Sequence, residues 1–294
     1  MSNLCVEIIE SIKKLIQHCS FQKYNESEVN REVYFTKEVA FFNYNFMMSL
    51  KKKDYSKYLS IAYEAKTGKK LNLKNPKSIN EKIQWLKIYD NIPQKSDLTD
   101  KVLVRDYVRE KIGEKYLKPA LWIGERFEDI PFSDLPESFI IKANHGCRWH
   151  AIIKNKSVFL KEMGLYNSVK NHFDGWLQQT FFGFSDFEAQ YLTIKPKIIV
   201  ESLMRTNINK PSKEFWVWCI NSVPYTDNEE FKEEALMLSK KLSEGFKFVR
   251  IDWMIYDNRL YFMEMTFTPL SGYIPQDMLE QEFYKNLSEK FILK

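Results

Sequence analysis

Apolar positions along the chain change period near residue 117. Before it they recur at helical spacing: Ile8, Ile9, Ile12, Leu15 and Ile16 form one stripe, and aromatic-rich stretches follow around Tyr34 to Leu50. Residues 1 to about 70 therefore read as a helical N-terminal region. In "GKKLNLKNPKSINEKIQWLKIYD" a turn at Asn75-Pro76 precedes Ser78, and Glu81 stands three residues on, the spacing of a capping box. "TDKVLVRDYVREKIGEKY" predicts another helix, with Val102, Val104, Tyr107, Val108 and Ile112 on its apolar side and Gly113 near its end. From about Leu117 the pattern becomes short apolar runs: "ALWIG", "SFIIKA", "HAIIKN", "KPKIIVESLM", "EFWVWCI", "FKFVRIDWMIY" and "RLYFMEMTF". These predict β-strands, interrupted by helices over roughly 159–179 and 229–244. Strands separated by helices indicate an α+β or α/β enzyme, not a sandwich or a bundle.

Composition narrows this picture. A chain of 294 residues, 44% of them hydrophobic, can bury one large core or two modest ones, and two lobes are expected. The net charge of +5 suits anionic ligands and is too small to argue for nucleic acid. The basic stretch "LKKKDYSKY" reads first as a solvated face, with an anionic surface as the minority reading, so peripheral membrane contact stays open. Aromatic residues at 15% fit a core rich in Phe and Tyr, or stacking surfaces for a base or sugar. Cys5, Cys19, Cys147 and Cys219 are far apart, which argues against a zinc site or a disulfide framework. The N-terminus carries Glu7, Glu10, Lys13 and Lys14 and lacks a signal-peptide core, and no window reaches transmembrane length. A soluble, cytoplasmic protein is expected.

Two places could carry chemistry. "FVRIDWMIYDNRLYFMEMTFTPLSGY" predicts a hairpin across Tyr256–Arg259 in which Asp252 and Glu264 can be cross-strand neighbours, with Thr266 on the face of Glu264. Facing carboxylates repel unless a cation intervenes. Mg²⁺ is one solution, and neutralisation by Arg250 or Arg259 in a salt-bridge cluster is the other. The second place is "FIIKANHGCRWHAIIKN". Lys142 ends an apolar strand and a polar turn follows, which suits a phosphate site as well as it suits a snorkelling lysine.

The ordered succession "NEKIQWLKIYD", "TDKVLVRDYVREKIGEKYLKPAL", "LPESFIIKANHG", "IKPKIIVESL", "FKFVRIDWMIY" and "LYFMEMTFTPLSGY", from about residue 70 to 276, resembles the TupA-like branch of the ATP-grasp superfamily. That branch is associated with bacterial capsule, teichuronopeptide and other surface polysaccharides. The resemblance implies an ATP-grasp fold over 71–294, with a central lobe at about 117–200, a C-terminal lobe at about 201–294, and ATP held between two α+β lobes. It implies that Lys101 and Lys142 meet the nucleotide, and that Asn144 to His150, including His145, Gly146, Cys147, Arg148 and Trp149, cover its phosphates. Glu201, Ser202, Leu203 and Met204 would form the adenine hinge, and Asp252, Glu264 and Thr266 the Mg²⁺ site. Arg250 would steady the transferred phosphate, making Arg250 and Lys142 the catalytic pair. The implied reaction is an ATP-dependent carboxylate–amine ligation through an acyl phosphate, joining a carboxylate-bearing sugar, plausibly a uronic acid, to a small amine or amino acid. A sugar kinase and a non-catalytic nucleotide-binding module are the alternatives. Two departures from the family stand out: the loop is poorer in glycine, and Glu214 and Trp216 occupy "EFWVWCINS" where relatives carry Asp and Lys.

Overall fold

The computed structural model describes residues 33–35, 48–184, 187–205 and 212–293. The amphipathic stripe over Ile8–Ile16 lies outside them. Two antiparallel sheets organise the chain. The first has the order β1-β4-β3-β5-β2, from β1 (Val33–Phe35), β2 (Ala120–Gly124), β3 (Phe139–Ala143), β4 (His150–Ile153) and β5 (Ile198–Ser202). The second has the order β7-β6-β8-β9, from β6 (Lys213–Ile220), β7 (Val223–Tyr225), β8 (Phe248–Tyr256) and β9 (Arg259–Thr266). Every apolar run singled out in the sequence is a strand. The helical reading of the first 70 residues missed β1, which pairs with β4 and so covers what would otherwise be an open edge. It holds for α1 (Tyr55–Thr67), which precedes α2 (Ile79–Tyr89), α3 (Gln94–Thr99) and α4 (Val104–Lys111). Among the described residues no helix is long and apolar enough to cross a membrane.

Alternation along each strand decides which face is core. Phe139, Ile141 and Ala143 of β3, Ala151 and Ile153 of β4, and Ile198 and Val200 of β5 are buried together under Val169, Phe173 and Trp176. Those three come from α6 (Met163–Leu177), which follows α5 (Lys156–Lys161) in the first predicted helical insertion. In the second sheet Val249, Ile251 and Trp253 pack under Val104 and Val108 of α4 and under Ala235, Leu238 and Leu242 of α7 (Lys232–Leu242). After α8 (Gln276–Leu279), the C-terminal α9 (Glu282–Lys290) joins α2 on part of the opposite face, against Trp218, Ile220 and Phe248. Helices α2, α3 and α4 therefore pack on the second sheet, while α1 packs against Phe182 and Phe187. The capping box is present: Ser78 accepts from the Glu81 amide and Glu81 from the Ser78 amide. The β8–β9 turn has Asp257 and Asn258 at φ 48° and 54°, the left-handed pair of a tight hairpin.

Candidate functional site

The faces of the two sheets left free of core helices enclose a cavity of about 620 Å³. Ile140 and Lys142 come from β3, His150 and Ile152 from β4, Asp252 and Met254 from β8, and Met263 and Glu264 from β9. Each is an out-of-core position of its strand, so the period of 2 that buries the cores also builds the cavity walls, with a bulge in β9 adding Glu264 next to Met263. Ser202, Leu203, Met204 and Arg205, leaving β5 toward the second sheet, close one side. Six cationic side chains line it (Lys101, Lys118, Lys142, Arg148, Lys154 and Arg205) against the carboxylates of Glu214, Asp252 and Glu264. An enclosed excess of cations raises the local concentration of anions.

Lys142 does not snorkel to solvent. Its Nζ lies 2.8 Å from Glu201 Oε2, and Lys118 Nζ lies 3.1 Å from the same oxygen. Arg105 approaches the other oxygen at 3.4 Å and donates to the Lys118 carbonyl at 2.8 Å. Burial opposes ionisation of Glu201, yet the two lysines hold its carboxyl well below the usual carboxylate range. Burial lowers Lys142 as well, but Glu201 outweighs it and leaves that pKa raised. Lys118, equally buried, is pushed down to about 8. Glu201 thus meets this cation cluster at the back of the cavity. Lys118 escaped the sequence analysis because a lysine between Leu117 and Pro119 carries no local signal. Only the β2–β5 pairing brings it beside Glu201.

The loop between β3 and β4 is tied at its base. Lys101 Nζ donates to the Gly146 carbonyl at 2.6 Å, and Asp100 accepts from Asn144 Nδ2 at 2.9 Å. Lys101 is accordingly spent, at least in part, on holding the loop. Of the loop residues expected to face a nucleotide, Cys147, Arg148, Trp149 and His150 line the cavity. His145 does not: its ring is buried, with Nδ1 3.0 Å from Asn144 Oδ1 and Nε2 2.8 Å from the Trp176 carbonyl. Here the imidazole anchors the loop to α6 and does not reach toward a ligand. Gly146 is required by close packing, since a Cβ there would stand 2.3 Å from the Trp149 ring. Trp149 itself is stacked on Trp176, centroids 5.6 Å apart, and offers the cavity only an edge. Arg148 takes φ 60°, a left-handed conformation glycine adopts without strain. The shortage of glycine is therefore met by a strained arginine. Cys147 is exposed at the rim, but the protein around its thiol and the nearby Glu264 raise its pKa to about 11, away from the thiolate. Burial and Lys142, with further cations around it, push His150 down to about 3, so its ring is neutral.

Asp252 and Glu264 are cross-strand partners, the expected pairing, although a strict count back from the turn reaches Met263. The register out of the turn pairs Trp253 with Phe262; a bulge then skips Met263 and sets Glu264 opposite Asp252. Without that extra residue Glu264 would point into the core. Arg250 is bound to Asp252 by two hydrogen bonds of 2.7 and 2.6 Å and stands 3.9 Å from Glu264. Its guanidinium lies 4.6 Å from the Trp216 ring and 5.9 Å from that of Trp218. Both its Nε and Nη2 are engaged by Asp252, which fixes the guanidinium beside the two carboxylates. Thr266 donates to Glu264 Oε1 at 3.1 Å and stays beside the cavity, not in its lining. Burial, offset in part by Arg250, raises Asp252 to about 7. Burial would raise Glu264 too, but Lys101, Arg250 and the Thr266 hydroxyl leave it lowered. Among the described residues no three His, Cys, Asp or Glu side chains form a metal cluster. A pair of carboxylates still fits Mg²⁺, which takes one or two of them and fills its octahedron with water and phosphate oxygens.

Comparison with known proteins follows the same lines. No curated protein matches the chain significantly. Among solved structures, D-alanine–D-alanine ligase from Bacillus anthracis complexed with ATP aligns at 14% identity and TM-score 0.38, over 65% of this chain and 62% of that one. The chain thus spans less than two thirds of that ligase. The ATP-grasp ligase PsnB, complexed with a phosphomimetic variant of its minimal precursor, Mg and ADP, aligns at 10% identity and TM-score 0.42, over 99% of this chain and 93% of that one. Cdc123 from Schizosaccharomyces pombe aligns at 12% identity and TM-score 0.34, over 69% and 96%. The TupA-like ATPgrasp family matches residues 81–226 and 224–292, a stretch that takes in every strand but β1, the β3–β4 loop and the facing carboxylates. The chain therefore belongs to the TupA-like ATP-grasp family and has an α+β ATP-grasp fold.

Proposed function

We propose that the protein is an ATP-dependent carboxylate–amine ligase. The observation that carries this reading is the cavity between the sheets, with Lys142, Lys101 and Arg148 on one side and the Asp252–Glu264 pair on the other. The adenine would lie among Ile140, Ile152, Leu203, Met204 and Met254, beside the Ser202–Arg205 crossing. Lys142 and the β3–β4 loop would then meet the phosphates. Asp252 and Glu264 would hold Mg²⁺, which supplies charge neutralisation as the phosphoryl group moves.

In this reading a substrate carboxylate oxygen attacks the γ-phosphorus, the bond to the β-phosphate oxygen breaks, and ADP leaves. An amine then attacks the acyl carbon, phosphate departs, and an amide results. Such chemistry needs positioned cations more than a protein nucleophile. The raised thiol pKa of Cys147 agrees with this, since it leaves that side chain without nucleophilic character at neutral pH. The resemblance to surface-polysaccharide enzymes supports a uronic acid building block as the carboxylate, with a small amine or amino acid as acceptor, in the cytoplasm where ATP is available.

The decisive experiment screens uronic acids crossed with small amines for ADP release, with products identified by mass spectrometry. A ligase gives ADP and an amide only when both substrates are present. A kinase needs a single acceptor and yields a phosphorylated product. Mg-ATP at a hundredfold excess over Kd should stabilise the fold by about 2.7 kcal/mol. A melt that does not move with saturating Mg-ATP would sink the nucleotide-binding claim itself.

A further inference from the structure

Lys118 is absent from the set of residues that the family resemblance implies, yet it occupies a site that is incomplete as it stands. Its ammonium and that of Lys142 share one oxygen of Glu201, at 3.1 and 2.8 Å, and Arg105 sits 3.4 Å from the other. Three cations meet one carboxylate. Lys118 is only 6% exposed and Glu201 likewise, so the cations cannot be neutralised by bulk water as surface lysines are. Both lysines also line the cavity, so the uncompensated charge faces its interior. Glu214, the carboxylate of β6 on the same cavity wall, makes no ion pair with either ammonium and acts on both only at longer range.

We infer that Lys118 and Lys142 form a two-pronged anion clamp, with Glu201 setting their spacing and Arg105 fixing the backbone of Lys118, and that Lys118 binds a phosphate oxygen of the nucleotide. The inference rests on the nucleotide reading above. It gives Glu201 a different duty from the hinge role expected of it: a spacer that holds two like charges together until a polyanion arrives. Two features of the geometry agree. The Arg105 Nη2 bond to the Lys118 carbonyl, 2.8 Å, holds the segment from which the side chain projects. The Ser202 amide bonds the Pro119 carbonyl at 3.1 Å, so the Lys118 segment is joined to the start of the crossing between the sheets. Burial, with Lys142 alongside, outweighs Glu201 and pushes the Lys118 ammonium down to about 8, a loss that a phosphate oxygen would offset.

The test is calorimetric titration of wild type and Lys118→Met with ATP, ADP and adenosine, alongside ligand-free melts. Loss of a charge-assisted contact to phosphate should weaken ATP and ADP roughly 10- to 100-fold and leave adenosine unchanged. The ligand-free melting temperature should hold or rise, because Glu201 keeps Lys142 and Arg105. Lys118→Arg, which keeps the charge, should restore most of the ATP affinity. If Lys118→Met fails to fold, Lys118→Gln, with a donor left for Glu201, carries the same comparison. Unchanged ATP affinity in the variant would overturn the clamp, as would an equal loss for adenosine and ATP. Wild type that binds no ATP at all would instead overturn the nucleotide reading, so the two failures are distinct.

Discussion

Glu264→Gln removes one negative charge from the cross-strand pair with almost no change of volume, and the structure separates what the two carboxylates do. Asp252 holds Arg250 through two short hydrogen bonds, whereas Glu264 stands 3.9 Å from that guanidinium with 41% of its side chain exposed. A half-exposed pair at that distance is worth roughly 0–1 kcal/mol. Its loss is partly offset, because Glu264 also repels Asp252. The glutamine oxygen can still accept from Thr266, which now bonds Glu264 Oε1. The ligand-free melting temperature should therefore shift by no more than about 2–4 °C. Turnover should fall about 100-fold or more, since one charged Mg²⁺ ligand is lost where phosphoryl charge develops. Asp252→Asn should behave differently. It strips a buried guanidinium of its bidentate partner, at a cost of roughly 3–5 kcal/mol, and the ligand-free melt should drop by about 10 °C. Calorimetric melts with and without Mg-ATP, set beside ADP release, separate the two. Glu264→Gln turnover within about tenfold of wild type at saturating Mg²⁺ would refute the metal role. A ligand-free destabilisation as large as that of Asp252→Asn would show that Glu264 is part of the salt bridge instead.

The loop supplies three more expectations. Arg148→Ala should raise KM for ATP or for the carboxylate substrate with little change in melting temperature, because the side chain lines the cavity and the backbone strain at φ 60° stays with alanine; unchanged constants for both substrates would make Arg148 an idle rim residue. Gly146→Ala should destabilise by about 1–3 kcal/mol, since its Cβ would overlap the Trp149 ring, which is itself wedged on Trp176, and an unchanged melt would contradict that packing. His150 has its folded pKa, about 3, below the unfolded value, so the unfolded chain binds more protons between the two. Ligand-free stability should therefore fall as pH drops from about 6.5 toward 4, by roughly 1–2 kcal/mol after allowing for partial exposure, and His150→Gln should flatten that slope in denaturant titrations.

The sequence determined every feature that depends on period or on neighbours a few positions away. Alternation in "FIIKA", "IIVES" and "FVRIDWMIY" sets core faces against cavity faces, and that alone places Lys142, Asp252 and the crossing after Glu201 on one side of their strands. Ser78 with Glu81 announces a helix start because a capping box is a contact between residues three apart. What the tertiary structure decided concerns partners far apart in the chain. Counting back from the Asp257-Asn258 turn sets Met263 opposite Asp252; only the bulge brings Glu264 there. Whether Arg250 serves a ligand or a carboxylate was open in the sequence, since an i,i+2 pair on one strand face can do either. The tertiary structure pairs its guanidinium with the buried Asp252 and sets it beside the Trp216 and Trp218 rings. His145 looked like part of a phosphate loop because it stands next to Gly146, but α6 supplies the Trp176 carbonyl that turns its ring inward. Lys118 was invisible for the converse reason. A lysine's meaning depends on what faces it, and the carboxylate that faces Lys118 lies on a strand 83 positions later, reached through sheet pairing that no local pattern encodes.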